Sequence, residues 1–356
     1  MKVLEPIRWD VVEKKLYVLN QLRLPTTIEY LEKNTIEGVF YAIKHMELRG
    51  APLIGIAAAY GIVLGLKNLK SNENLFDNVK ENAKFLARAR PTAFNLFWAL
   101  NRMQKCAIEI KERPSLSLKE KVRIMEEEAI KIHREDERNN FRIGENFLNN
   151  LLVHDGDTIL THCNAGVLAT SKYGTATSPM YLSKEKGWNI RVYVDETRPY
   201  LQGARLTAFE LNEAGINVTL ICDNMAGVVL SKGKVNEIIV GADRIAANGD
   251  VANKIGTMSL AVLAKHFDVP FYVAAPSTTI ELACDCGNSI PIEERDANEV
   301  TNWFGTRIAP QGINVYNPAF DVTPHELITA IVTEKGVIKK SFSENIKKIA
   351  KVSKVL

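Results

Sequence analysis

The spacing of apolar residues changes near residue 155, and the change divides the chain into two kinds of sequence. Before it, apolar positions recur at helical intervals. Val122, Met125, Ala129 and Ile132 share one face of a helix that begins near Leu118. Residues 37–48, 53–66 and 93–106 read as further helices, and Val3, Ile7 and Trp9 as early strands or a hairpin. Breaks fall at Leu24-Pro25-Thr26-Thr27, at Arg49-Gly50-Ala51-Pro52 and at Arg90-Pro91-Thr92. Proline keeps the residue before it out of helical geometry, and glycine admits a tight loop. The charged positions 126–128 and 133–138 read as a solvated helix face.

After Asp155-Gly156-Asp157 the period shortens. Apolar runs at 158–162, 190–194, 218–221, 237–240 and 271–274 alternate with helix-length stretches. That alternation predicts βαβ units and a buried parallel sheet, Rossmann-like in broad architecture. No two glycines are spaced GxG, so the dinucleotide fingerprint is missing, as is the P-loop pattern. Ligands of an open parallel sheet bind beyond the carboxyl ends of its strands. Four of the predicted strands end in polar clusters: His162-Cys163-Asn164-Ala165-Gly166, Asp195-Glu196-Thr197-Arg198, Cys222-Asp223-Asn224 and Gly241-Ala242-Asp243-Arg244. If these strands are neighbours, a thiol, several carboxylates and basic groups meet in one cleft.

Composition narrows the partners. The 356 residues suggest two domains, at roughly 150 residues each. Forty-five basic against 42 acidic residues leave a net charge of +3, too balanced to predict nucleic acid as the main partner. The longest uncharged stretch, residues 51–66, is short of a membrane span, and with glycines at 55, 61 and 65 it reads as a buried helix. Five scattered cysteines without a CxxC form no disulfide framework. With no signal peptide recognisable, they point to a reducing cytoplasm. Cys284 and Cys286 read as ordinary thiols near a turn, and no metal-ligand cluster of convincing spacing is present.

Individual residues keep two readings at this level. Cys163 sits at a strand-to-helix junction, where free N–H groups favour a thiolate or a phosphate, or it is a buried structural cysteine. Asp243 caps a helix or pairs with Arg244, or it is a neutral acid that donates a proton. The segment from Asn248 to Thr257 reads as a turn leading into a helix. Its Asn253 and Lys254 either hold a phosphate or sugar hydroxyls or belong to a surface turn. Arg49 and Arg90, beside breaks, either reach a phosphate across a domain interface or lie on the surface.

Longer motifs make the reading specific. Arg49-Gly50-Ala51-Pro52, His162-Cys163-Asn164-Ala165-Gly166, Asp195-Glu196-Thr197-Arg198-Pro199 and Leu201-Gln202-Gly203-Ala204-Arg205-Leu206-Thr207 resemble the methylthioribose-1-phosphate isomerase family. The unbroken run from Gly241 to Thr257, the segment 270–276 and Ile290-Pro291-Ile292-Glu293-Glu294-Arg295-Asp296 resemble it too, and the likeness fades only in the lysine-rich tail after about Lys339. Tyr200 stands where the family favours arginine, and Ser277-Thr278 where it favours Leu-Ser.

The resemblance implies a homodimer of two-domain subunits. The expected domains are a mainly helical one over residues 1–125 and a Rossmann-like one over residues 126–356, which ends in the lysine-rich tail. It implies an aldose–ketose isomerase of methionine salvage that acts on a phosphorylated pentose: it converts 5-methylthioribose 1-phosphate and also accepts 5-deoxyribose 1-phosphate, with a dedicated 5-deoxyribose 1-phosphate isomerase as the alternative. No cofactor or metal is implied. Residue by residue, Cys163 matches the catalytic thiol and Asp243 the catalytic acid. Arg49, Gly50, Ala51, Arg90, Gln202, Asn253 and Lys254 match substrate-binding positions. Two other readings attach to the same fold family: a regulatory binding protein like subunits of a translation-initiation exchange factor, and a ribose 1,5-bisphosphate isomerase. The paired Cys163 and Asp243 favour the first enzyme over the regulator, and no extra basic cluster calls for a second phosphate site.

Overall fold

A computed structural model describes residues 1–70 and 74–352. Contacts divide the chain into two compact units. One comprises Val3–Asn140 and Val167–Gly174; the other comprises Met1–Lys2, Phe141–Gly166 and the chain from Thr175 onward.

The first unit opens with the expected hairpin, extended to a three-stranded antiparallel meander of β1 (Ile7–Asp10), β2 (Lys15–Leu19) and β3 (Tyr30–Lys33). Helices α1 (Ile36–Lys44), α2 (Ala51–Gly65), α3 (Leu75–Ala87), α4 (Phe94–Lys111) and α5 (Leu118–Asn149) follow. Thr35 caps α1 by accepting from the Gly38 N–H. As its uncharged sequence predicts, α2 is buried all round, from Leu53 to Leu64, at the centre of the unit's core.

The α5 helix corrects two expectations. It runs unbroken through the domain boundary expected at 125/126, because no proline or glycine interrupts its periodicity there. Its charged positions are also not simply solvated. Glu126 is buried and accepts from Trp9 Nε1 at 2.7 Å and from Lys14 Nζ at 2.6 Å. Glu128 and Glu135 bind Arg102. Asp136 accepts from the Ser171 N–H and Oγ and from Asn140, yet burial still pushes its carboxyl up to about 6. Burial pulls His133 down to about 4 beside the Tyr60 hydroxyl, 3.0 Å away. Helix periodicity identifies a polar face but not what packs on it.

The second unit is the expected mixed α/β structure with a largely parallel sheet. Its elements are β4 (Thr158–Thr161), α6 (Ser178–Glu185), β5 (Arg191–Asp195), α7 (Ala208–Glu213), β6 (Asn217–Ile221), α8 (Ala226–Ser231) and β7 (Glu237–Val240). Then come β8 (Arg244–Ala246), β9 (Val251–Lys254), α9 (Thr257–His266), β10 (Phe271–Ala274) and β11 (Ile280–Glu281). The chain closes with α10 (Asn298–Thr301), β12 (Asn302–Trp303), β13 (Thr306–Arg307), β14 (Phe320–Thr323), β15 (Ala330–Thr333), β16 (Gly336–Ile338) and α11 (Phe342–Val352).

The main sheet has the order β16-β15-β10-β7-β4-β5-β6, all parallel except β16. If its six parallel strands are numbered in chain order, they lie 3-2-1-4-5-6, so the order reverses between β4 and β7. A smaller sheet, β11-β8-β9-β14, is built from the chain after β7. Here β9 corrects the expected turn-into-helix: residues 251–254 form a buried strand between β8 and β14, and only then does α9 begin. The lysine-rich tail also differs. Within α11, Phe342 and Ile346, one helical turn apart, are buried in the core of this unit, and Lys347 and Lys348 follow them. The last four tail residues lie outside the described residues.

Candidate active site

The point where strand order reverses leaves a crevice beyond the carboxyl ends of the two strands that flank it. Those strands are β4 and β7, hydrogen-bonded in register at Ile159↔Glu237 and Leu160↔Ile238. Cys163 lies in the loop after β4 and Asp243 in the loop after β7. The two loops touch: a Cβ built on Gly241 would lie 2.4 Å from the Ala165 Cβ, so only glycine fits there. The topology therefore sets the candidate thiol and the candidate acid on neighbouring strand ends.

The Cys163 loop is not the helix N-terminus its sequence suggests. After it the chain makes a short 3₁₀ turn, Val167–Ala169, and α6 starts only at Ser178. What holds Cys163 is a set of side-chain hydrogen bonds around a left-handed backbone, φ 63°. Its N–H donates to Thr197 Oγ1 at 2.8 Å, and its carbonyl accepts from Thr207 Oγ1 at 2.5 Å. Thr197 Oγ1 in turn donates to the Asp195 carbonyl at 3.1 Å. Thr197 is itself left-handed, and the Asp223 carboxylate holds it by accepting from the Thr197 and Arg198 N–H groups, each at 2.7 Å. A non-glycine residue in this region is strained and needs such over-determination. Cys163 is buried, with 9% of its surface exposed.

The other residues of this unit follow from β5 and β9. Gln202 precedes a π-helical turn, Gly203–Thr207, a distortion that recurs at functional sites. It is buried, and its Oε1 has no hydrogen-bond partner among the described residues. Asn253 and Lys254 are buried on β9. Asn253 Nδ2 donates to Thr257 Oγ1 at 3.0 Å. Lys254 Nζ donates to the Ala319 carbonyl at 2.8 Å and sits 4.6 Å from the Phe320 ring centre. The Asp243 N–H donates to the Ala252 carbonyl, which ties the end of β7 to β9.

Arg49, Gly50, Ala51 and Arg90 belong to the other unit. The first three form the entrance to α2, with Gly50 at φ 106° as its N-cap. Arg49 is buried and donates from Nε to Gln21 Oε1 at 3.3 Å. Arg90 follows α3.

Sequence reasoning gives His162 and Glu210 no role. His162 has the strand-end signal but is masked by the cysteine beside it. Glu210, buried on α7 and accepting from Asn164 Nδ2 at 3.2 Å, has no sequence signal. Donor atoms of His162, Asp195 and Asp223 lie within 4.8 Å of one another. Both His162 nitrogens and both Asp223 oxygens already bond to protein groups, His162 to Asp195 and Ile255 and Asp223 to the Thr197 and Arg198 N–H groups, while Asp195 Oδ1 has no hydrogen-bond partner among the described residues. A second trio, Asp250, His325 and Glu326, is likewise bonded internally, with Asp250 accepting from Asn248, Gly287 and His325.

This geometry predicts an effect at Thr197. Thr197→Val removes the acceptor for the buried Cys163 N–H at nearly constant volume. The lost partner should cost about 1–3 kcal/mol of stability. Turnover should fall more than affinity, because the loop that holds the thiol loosens. Thr197→Ser should behave as wild type in thermal melting and steady-state kinetics; equal damage from both would detach the hydroxyl from this role.

A family model described as the Initiation factor 2 subunit family matches residues 47–340. A curated 5-deoxyribose 1-phosphate isomerase from Bacillus thuringiensis (strain Al Hakam) is 56% identical over 346 residues, covering 97% of this chain and 98% of its own length. One from Clostridium botulinum (strain Kyoto / Type A2) is 56% identical over 351 residues, covering 98% and 99%. Among solved structures, 5-methylthioribose 1-phosphate isomerase from Pyrococcus horikoshii OT3 superposes with a TM-score of 0.90 at 44% identity, covering 99% of this chain and 97% of its own. The translation initiation factor eIF-2B subunit delta from A. fulgidus gives 0.86 at 42% identity, covering 98% and 99%. No helix among the described residues is long and apolar enough to cross a membrane.

Proposed function

The chain belongs to the Initiation factor 2 subunit family, and from that premise we propose that it is an aldose–ketose isomerase that converts 5-deoxyribose 1-phosphate to 5-deoxyribulose 1-phosphate and also accepts 5-methylthioribose 1-phosphate. The observation that carries the reading is the strand-order reversal, which sets the Cys163 and Asp243 loops side by side. The motifs alone place methylthioribose first. The names of the relatives at 56% identity, against 44% for the methylthioribose enzyme, favour the reverse order.

Phosphate on C1 locks the sugar ring and prevents simple opening to an aldehyde. Asp243, as a neutral acid, protonates the ring oxygen as the C1–O bond breaks. A hydrogen must then move from C2 to C1. Either the Cys163 thiolate takes the C2 proton and returns it to C1 through an enediol, or hydride shifts directly and Cys163 shapes the transition state. In both routes the C2 hydroxyl loses its proton as the ketone forms, which can restore Asp243. Gln202, whose buried Oε1 lacks a protein donor among the described residues, accepts from a sugar hydroxyl. Asn253, Lys254, Arg49, Gly50, Ala51 and Arg90 complete the proposed substrate contacts. The arginines offer planar forks for phosphate oxygens. On the family resemblance, the working enzyme is a cytoplasmic homodimer.

Specificity constants for three substrates test this. The 5-position is uncharged in both preferred sugars, and one extra apolar group is worth about 1–3 kcal/mol, or about tenfold to a few hundredfold. Both should be turned over. Ribose 1,5-bisphosphate should be rejected more strongly, since its charge enters an apolar subsite unpaired. Preference for the bisphosphate would overturn the subsite argument. No isomerisation of any of the three would favour a regulatory binding protein; the A. fulgidus neighbour is named a translation initiation factor subunit.

A further inference from the structure

His162 ends β4 immediately before Cys163, and its side chain is 2% exposed. Its Nδ1 lies 2.9 Å from Asp195 Oδ2, at the end of β5. Its Nε2 lies 2.9 Å from the carbonyl of Ile255, in the turn that follows Asn253 and Lys254. That turn is built around the ring. Gly256 has φ 103°, and a Cβ there would lie 2.8 Å from His162 Cε1, so no other residue fits. The turn is also fixed by Asp321, which accepts from the Gly256 and Met258 N–H groups.

The protons can be counted. A carbonyl only accepts, so Nε2 must carry a hydrogen. The remaining nitrogen faces a carboxylate oxygen. With no proton in that bond, two lone pairs would oppose each other at 2.9 Å in a buried place. The pair therefore needs a second proton, on Nδ1 or on Oδ2, and is then neutral as a whole. Three carboxylates face the ring: Asp195 from β5, Asp223 from the loop after β6 and Asp321 from β14. Burial works against a charge on the ring, but the bond to Asp195 and the surrounding carboxylates outweigh it and shift His162 upward, while burial shifts Asp195 upward.

We propose that His162 is a positioning residue: through an imidazole bonded at both nitrogens, and a second proton retained in its bond to Asp195, it locks the Cys163 loop to the turn that follows Asn253 and Lys254. It touches no reacting atom in this proposal, which rests on the isomerase reading for its kinetic consequences. Loss of either bond should disturb the thiol and the substrate contacts together, so kcat falls and KM rises.

The test exploits the proton count. In Asp195→Asn the amide N–H donates to a bare Nδ1 while Nε2 still donates to Ile255, so both bonds survive without the second proton. Asp195→Asn should retain turnover within about threefold of wild type, whereas Asp195→Ala and His162→Ala should lose about tenfold to a hundredfold and raise KM. If Asp195→Asn fails as badly as Asp195→Ala, hydrogen-bonded positioning is overturned. Wild-type kinetics for the alanine variants, in protein that melts normally, would overturn it equally. Because His162→Ala empties a buried site and can disturb folding, NMR of the unliganded wild type in ¹⁵N-histidine-labelled form gives a reading free of activity. A downfield exchangeable proton in the bond between His162 Nδ1 and Asp195, distinct from the Nε2 proton that both proteins keep, should persist through neutral pH and vanish in Asp195→Asn; its absence from wild type at neutral pH overturns the retained proton. Should wild type isomerise none of the three sugar phosphates, the function fails while this signal still reports on the pair.

Discussion

Cys163→Ser and Asp243→Asn should each lower turnover by about a hundredfold or more while leaving fold and phosphate binding intact. Serine fits the left-handed, hydrogen-bonded position of Cys163 almost isosterically, because the bonds that hold it run through its backbone. What is lost is an accessible thiolate: a serine hydroxyl ionises far above neutral pH and cannot serve as the base. Asparagine in place of Asp243 would keep the shape of the acid and the backbone N–H bond to Ala252 but could not deliver a proton to the ring oxygen. Thermal melting and direct binding of substrate separate loss of chemistry from loss of fold. Near wild-type turnover in both variants would show the pair to be misassigned. In the active enzyme, solvent deuterium at C1 marks the proton route, and its absence marks hydride shift or a shielded transfer.

The parts of this site that the sequence exposes are the parts held by local pattern. Strands 158–161, 237–240 and 271–274 are short apolar runs with buried residues throughout, and the ends of the first two are marked by abrupt polar clusters. The parts it hides depend on distant partners. Val251–Lys254 carries no strong strand signature; it is extended because β8 and β14 pair with it from both sides. The polar residues of α5 follow a regular helical period, but Trp9, Lys14 and Arg102 arrive from elsewhere to bury or pair them. The glycine after Cys163 suggests a helix terminus, whereas Thr197 and Thr207, more than thirty residues away, supply the hydrogen bonds that define its conformation. The cis Arg198-Pro199 bond and the π turn after Gln202 likewise have no periodic signature. Functional geometry here is assembled from long-range side-chain hydrogen bonds, to which periodicity is blind.

Replacing Glu237 by glutamine should stabilise the protein, and increasingly so as pH rises from about 5 to 9. Glu237 opens β7 at the end opposite the candidate site. It is 4% exposed, and its Oε1 has no hydrogen-bond partner among the described residues. Burial, with Asp157 nearby, pushes its carboxyl up to about 9. The sign follows from comparing the two states. Below pH 4.5 the side chain is neutral whether the chain is folded or not, so it has no effect on the balance. Above that, the unfolded chain ionises it freely while the folded chain must keep the proton, and stability drops by about 1.4 kcal/mol per pH unit until the folded pKa is reached. At pH 7 the accumulated penalty is about 3 kcal/mol. Glutamine has nearly the same shape and cannot ionise, so it removes this penalty. Its second buried N–H gives back about 1–2 kcal/mol if it finds no acceptor. The melting temperature of Glu237→Gln should therefore rise relative to that of wild type steadily from about pH 4.5 toward about pH 9, whatever the constant offset from the added N–H, with turnover unaffected. Parallel curves over that range would mean that Glu237 is ionised in the folded protein and has a partner that the geometry does not reveal.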